Sequence, residues 1–192
     1  MKKTRLLVLG VIFLVMSCSS LATAQDKVSL PKKFQTKLGK YLTAGEAYEM
    51  WRKNPGMIKI LDCRTPEEYV FVGHPPMAHN IPSHLWTGVW SEQTQVYVLK
   101  ENPDFLAQIK KRFMPGDTIL VICSSGGRSA KAVDKLAGAG FNQVYNIICR
   151  FTGDKVTGAK DDDNFWEIMK NCWRDSGAPW SYQLDPKQVY IP

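Results

Sequence analysis

The sequence predicts an α/β domain whose parallel sheet is covered by helices on both faces, and three observations predict it. Thr118–Ile122 and Val144–Ile148 are short apolar runs without the alternation of a half-solvated strand, the pattern of strands buried on both sides. Stretches with one apolar helical face separate such runs, at 44–53, 103–113 and 128–139. Turn residues close these helices: Asn54-Pro55-Gly56, Pro115-Gly116-Asp117 and Gly140. Strands and helices alternating at this spacing form βαβ units, and the chemistry of such sheets sits at the carboxyl ends of the strands.

Taken in order, the elements begin with an export signal. Lys2, Lys3 and Arg5 precede an apolar run from Leu6 to Met16 and then small residues ending in Ala22-Thr23-Ala24, so residues 1–24 read as a secretory signal peptide. The run is too short to span a bilayer, and Ala22 and Ala24 occupy the small-residue positions of a peptidase site. In an alternative reading Val15-Met16-Ser17-Cys18 is a lipobox, and a lipidated Cys18 would tether the chain to a membrane, the one membrane contact expected. The expected location is the bacterial periplasm, or a membrane surface reached through Cys18.

Residues 25–38 are polar and lysine-rich and read as a linker. Residues 39–182 read as one domain, because 192 residues that are 44% hydrophobic and 22% charged supply one ordinary core. Thr43 followed by Glu46 forms a capping box that opens the helix Ala44–Lys53, with Ala47, Met50 and Trp51 along one face. Met57–Leu61 has strand length, and Thr65-Pro66-Glu67-Glu68 starts a second short helix. Residues 80–104 carry Trp86, Trp90 and Tyr97 but little period and read as irregular. Residues 183–192 read as an extended tail.

Charge and composition exclude several functions. The formal net charge is +7, of which Lys2, Lys3 and Arg5 supply three; the rest is scattered, and Lys110-Lys111-Arg112 ends a helix where cations complement its dipole. No nucleic-acid footprint follows. His74, His79 and His84 lack Cys or carboxylate partners at ligand spacing, and Asp161-Asp162-Asp163 lacks the interleaved pattern of a calcium loop, so no metal is expected.

Cys123 follows the most convincing buried strand, and Ser124-Ser125-Gly126-Gly127 are small before Arg128 opens a helix. The two glycines let the backbone curl so that successive N–H groups point inward, and the helix N-terminus adds partial positive charge. Such a cradle lowers the pKa of a thiol and holds a thiolate or persulfide, with Ser124, Ser125 and Arg128 as further donors.

Here the chain resembles a known family. Ile60-Leu61-Asp62-Cys63-Arg64-Thr65-Pro66-Glu67-Glu68-Tyr69, Gly73-His74 through Asn80-Ile81-Pro82, and Cys123 through Ala130 are similar to successive blocks of the rhodanese family, covering most of Gly39 to Trp180. The resemblance implies an α/β fold around a five-stranded parallel sheet and a persulfide on Cys123. It implies transfer of sulfane sulfur from thiosulfate, a polysulfide or a persulfide to a thiol or cyanide, with no organic cofactor or metal. Four residues separate Cys123 from Arg128, as in sulfurtransferases; the related phosphatases and arsenate reductases have five. Asp62 and Arg64 are expected to organise the rim of the site. A second reading is a carrier module that binds sulfur without turnover for a redox or respiratory partner in the cell envelope.

Three departures from the family pattern stand out. Ser124 replaces a frequent Arg after the nucleophile, Cys63 replaces an aliphatic residue between Asp62 and Arg64, and Cys149-Arg150-Phe151 replaces a glycine-rich loop. In the family's strand order Cys63 and Cys149 flank Cys123. Either is a candidate resolving thiol, more so Cys149 because it opens a loop; the simpler reading packs both as buried small hydrophobes. Cys172 with Trp173, Trp180 and Tyr182 is expected on a carboxyl-terminal segment docked against the sheet.

Overall fold

Parallel β pairing over short, doubly buried strands produces the predicted sheet. The computed structural model describes residues 30–148, residue 173 and residues 176–192, so the expectations for residues 1–24, Cys18, Cys149, Asp161–Asp163 and Cys172 lie outside the described residues. In chain order the elements are β1 (Tyr41–Leu42), α1 (Ala44–Lys53), β2 (Ile58–Asp62), a π-helical turn (Glu68–Val72), β3 (Ala78–Asn80), β4 (His84–Ser91), β5 (Val96–Glu101), α2 (Phe105–Arg112), β6 (Thr118–Ile122), α3 (Gly127–Gly138) and β7 (Val144–Ile147). Five strands form one sheet in the order β1-β7-β6-β2-β3, with each neighbouring pair parallel.

Alternation along the central strands divides the core in two. Leu61 and Cys63 from the β2 side and Ile119, Val121 and Cys123 from the β6 side face α2 and α3, where they meet Phe105, Ile109, Val133 and Leu136. Ile58, Ile60, Leu120 and Ile122 face the other way, toward Ala44 and Ala47 of α1, Tyr69 and Trp173. The Thr43 capping box is formed as expected: its hydroxyl accepts from the Glu46 N–H, and the Glu46 carboxylate accepts from the Thr43 N–H.

Four local features differ from the expectations or add to them. Residues 84–101 are not irregular but form an antiparallel hairpin of β4 and β5. Much of both strands faces solvent, which erases the period-two signal, while the edge-on ring pairs Trp86–Tyr97 and Trp90–Tyr97, at 5.0 and 5.3 Å, hold the hairpin together. The short helix expected after Thr65 is present and takes the π-helical form over Glu68–Val72, with the Tyr69 hydroxyl donating to the Ala78 carbonyl at 2.9 Å. β1 and β3, at two and three residues, are too short to show periodicity and take their form from the neighbours they pair with.

The fourth feature concerns residues 30–38, read as the end of a linker. Lys32–Phe34 forms a 3-10 turn, Phe34 is buried, and the Lys37 N–H donates to Asp134 of α3 at 2.8 Å. The domain therefore takes in this segment. At the other end the tail includes a turn at residues 186–188, where the Gln188 and Val189 N–H groups donate to the Asp185 carbonyl, and its Gln188 carbonyl accepts from the Asn80 N–H at the edge of the sheet.

Candidate active site

Cys123 lies at the carboxyl end of β6, the middle strand, where the chain must turn from strand into α3. Gly126 makes that turn. Its φ is +93°, in the left-handed region that costs a side-chain-bearing residue about 1–2 kcal/mol, and a Cβ there would come within 3.4 Å of the Phe34 ring. Gly127 has no positive φ and simply opens α3, so one glycine, not two, supplies the curl. Gly126→Ala is expected to lose about 1–2 kcal/mol, read from the urea unfolding midpoint.

The turn folds main-chain donors onto the sulfur. The Gly126 N–H reaches Cys123 Sγ at 3.1 Å, the Ser129 N–H at 3.3 Å, and the Ser129 hydroxyl lies 3.3 Å away. That hydroxyl has one proton and two neighbours, because Asn146 Oδ1 of β7 lies 2.6 Å from it. It donates to Asn146 while Cys123 is a thiol, and turning to the sulfur stabilises the thiolate. Asn146 in turn is fixed by donating to the carbonyls of Phe34 and Gly126.

Burial alone would push the Cys123 thiol up. The S–H of neighbouring Cys63, the Arg128 charge, and the Ser129 hydroxyl and amide outweigh it and bring Cys123 down to about 5. Cys63 moves the other way: burial, and then the adjacent Cys123 sulfur, push it well above its ordinary value. At neutral pH the pair is one thiolate and one thiol. Ser129→Ala removes one donor and is expected to raise the Cys123 midpoint by about one pH unit, read by thiolate absorbance against pH.

The remaining loop residues hold the cradle. Arg128 makes no hydrogen bond to Sγ: its two terminal nitrogens grip the Glu68 carboxylate at 2.6 Å each, and one also donates to Ser124 Oγ at 2.6 Å. Burial pushes the Glu68 carboxyl up, but the Arg128 contacts hold it below the usual carboxylate range. Arg128 thus acts on the sulfur through its charge, and Glu68 ties the loop to the π-helical turn. The N–H groups of Ser124, Ser125, Gly127 and Arg128 donate to no group among the described residues.

Asp62 and Arg64 are more deeply placed than a rim. Both are buried, Arg64 at 1% exposure, in a bidentate ion pair whose guanidinium also donates to the Gly73 carbonyl and lies under the Trp180 ring. Asn80 closes the network by donating to the carbonyls of Asp62 and Arg64. They support the end of β2 from the face opposite Cys63. His74 stacks on Tyr69 at 3.7 Å between ring centroids, with its nitrogens facing the carbonyls of Tyr69 and Gln183, a packing role.

Glu68, Ser129 and Asn146 escaped sequence reasoning as site residues. Asn146 had a legible signal, a polar residue inside the apolar run Val144–Ile148. Ser129, in the first turn of a helix, gave none beyond its nearness to the loop.

A buried cysteine sulfur held by main-chain N–H groups between a parallel strand and a helix marks the candidate site of this α/β domain. The description "Rhodanese-like domain" matches residues 43–153, more than half of the sequence, and the chain belongs to that family. It is similar to thiosulfate sulfurtransferase 16, chloroplastic, of Arabidopsis thaliana, 41% identical over 90 residues that cover 47% of this chain and 68% of the relative. Thiosulfate sulfurtransferase 18 of the same plant is 40% identical over 91 residues, covering 46% of this chain and 60% of the relative. Among solved structures, the crystal structure of Rv0390 from M. tuberculosis superposes with a TM-score of 0.55 at 25% identity, over 75% of this chain and 98% of that one.

Proposed function

We propose that the chain is a rhodanese-type sulfurtransferase that carries sulfane sulfur on Cys123. The observation that carries this reading is the sulfur held by Gly126 and Ser129 with its thiol brought down to about 5, which makes it a thiolate at neutral pH. The thiolate attacks the sulfane sulfur of a donor, a bond forms between the two sulfurs, and the donor's remaining group leaves with the electron pair of the broken bond. The N–H groups of Ser124, Ser125, Gly127 and Arg128 are the donors assigned to the outer sulfur of the resulting persulfide. A thiolate or cyanide acceptor then takes that outer sulfur and returns Cys123 to its thiolate.

Ser124 stands where an Arg would add charge, and Arg128 is neutralised by Glu68, so the mouth of the loop is a weak attractor for a dianion. Small persulfides, whose reacting end carries a single charge, are therefore preferred as donors over thiosulfate and over polysulfides, which are dianions as well. The reading of residues 1–24 as an export signal supports a reaction in the cell envelope, with a small thiol or a protein thiol as the acceptor. The test is steady-state transfer from thiosulfate, polysulfide and glutathione persulfide to cyanide or a thiol, with thiol reductant present. Repeated turnover with a persulfide-type donor is expected, and absence of turnover with every donor would contradict the proposal.

A further inference from the structure

Among the described residues, the Cys123 mechanism leaves one buried thiol unused. Cys63 is fully buried, and its backbone is fixed on both sides: its N–H donates to the Ile122 carbonyl at 2.9 Å, and its carbonyl accepts from the N–H and hydroxyl of Ser83. Asp62 pairs with Ile122 across β2 and β6, so the next residues in step are Cys63 and Cys123. Both side chains enter the same apolar cluster under α2 and α3. Adjacent strands run about 4.8 Å apart, and a disulfide spans Cα separations of about 4.4–6.8 Å, so the strand spacing suits a bond between two side chains that enter the same cluster. An aliphatic side chain would fill the site as well. A thiol there adds chemistry.

We infer that Cys63 is the resolving thiol of a Cys63–Cys123 redox pair, which converts bound sulfane sulfur to sulfide at the expense of an external dithiol. The inference rests on the sulfurtransferase reading, because the persulfide is its oxidant. The Cys63 sulfur attacks Sγ, the inner sulfur of the Cys123 persulfide. A Cys63–Cys123 bond forms, the bond between inner and outer sulfur breaks, and its electron pair leaves on the outer sulfur. The Cys63 proton departs with that sulfur, giving hydrosulfide. One sulfane sulfur is reduced to sulfide while two cysteine sulfurs are oxidised to a disulfide, and a dithiol reductant restores both.

The two environments suit this division of labour. The sulfur that meets the donor is the acidic one; burial keeps Cys63 protonated beside it until its proton passes to the anionic outer sulfur of the persulfide, which frees the Cys63 thiolate to attack. Attack by Cys63 needs no access from solvent, and hydrosulfide is a good leaving group.

The experiment loads reduced wild-type protein, Cys63→Ala and Cys63→Ser with one equivalent of glutathione persulfide, whose leaving group is glutathione and not sulfide, with no dithiol added. Released sulfide is measured, and the acid-quenched, alkylated protein is mapped by non-reducing peptide mass spectrometry. Wild type is expected to release one equivalent of sulfide and to yield a Cys63–Cys123 disulfide that dithiothreitol removes. The variants are expected to keep the added sulfur on Cys123, with sulfide release at background. Three results overturn the inference: wild type holding the persulfide beside a free Cys63, a disulfide joining Cys123 to Cys149, or equal sulfide release from the variants. Failure of the sulfurtransferase reading is distinguishable, since then no form of the protein takes up sulfur or releases sulfide.

Discussion

Cys123→Ser is expected to reduce transfer from every sulfane donor by about a thousand-fold or more, to the level of the uncatalysed exchange. A serine hydroxyl in the same cradle would keep the donors from Gly126 and Ser129, but it cannot ionise near neutral pH or form a persulfide. The unfolding midpoint should change little, because Cys and Ser differ slightly in size and the buried hydroxyl inherits the same partners. Steady-state assay of wild type and variant with polysulfide, beside a urea melt of each, checks both statements. A variant that keeps more than a small fraction of wild-type turnover would move the chemistry to another thiol.

The second large effect is on stability. Asp62→Ala is expected to cost about 3–5 kcal/mol, because it strands the Arg64 guanidinium, 1% exposed, with the Gly73 carbonyl as its remaining strong acceptor. Replacing both partners with apolar residues of similar volume, Asp62→Leu with Arg64→Met, should recover much of that loss, since the penalty lies in the unpaired buried charge. Denaturant midpoints of the single and double variants measure the coupling. The distinction matters for the proposed function, because Arg64 follows Cys63, and loosening the end of β2 would also displace the neighbour of the Cys123 sulfur.

The central part of this fold was legible because it obeys one rule at every level. The run Thr118–Ile122 is apolar on both faces, its neighbours α2 and α3 present one apolar stripe each, and the loop after it contains the glycine that the turn demands. The position of Cys123 was legible for the same reason, as a thiol at the carboxyl end of the middle strand, where the chain turns into α3. What escaped was decided by tertiary contact. The β4–β5 hairpin shows aromatic pairs across the strands and no buried face, so periodicity had nothing to report. Phe34 looked like one apolar residue in a lysine-rich linker, and only the open space above Gly126 gives it a place to pack.

The site's electrostatics were partly legible. A low thiol pKa followed from the loop, but its expected donors were the amides of the whole Cys123–Arg128 turn, with Arg128 among them. Arg128 instead spends its hydrogen bonds on Glu68, sixty residues earlier in the chain, and the sulfur takes its donors from Gly126 and from Ser129, one residue beyond the motif. Long-range pairs of this kind leave no local pattern. Cys63 shows the converse: its replacement of an aliphatic residue was visible in sequence, and its meaning came from the register that sets it beside Cys123.

The most direct measurement is the difference in thiolate absorbance between wild type and Cys123→Ser across a pH titration under reducing conditions. Because the folded thiol is depressed, its thiolate should be fully formed through neutral pH and disappear as pH falls, with a midpoint of about 5. A difference signal that is absent at pH 7 and rises only toward about 8.5, as for a free cysteine, would contradict the cradle and the sulfur chemistry assigned to it.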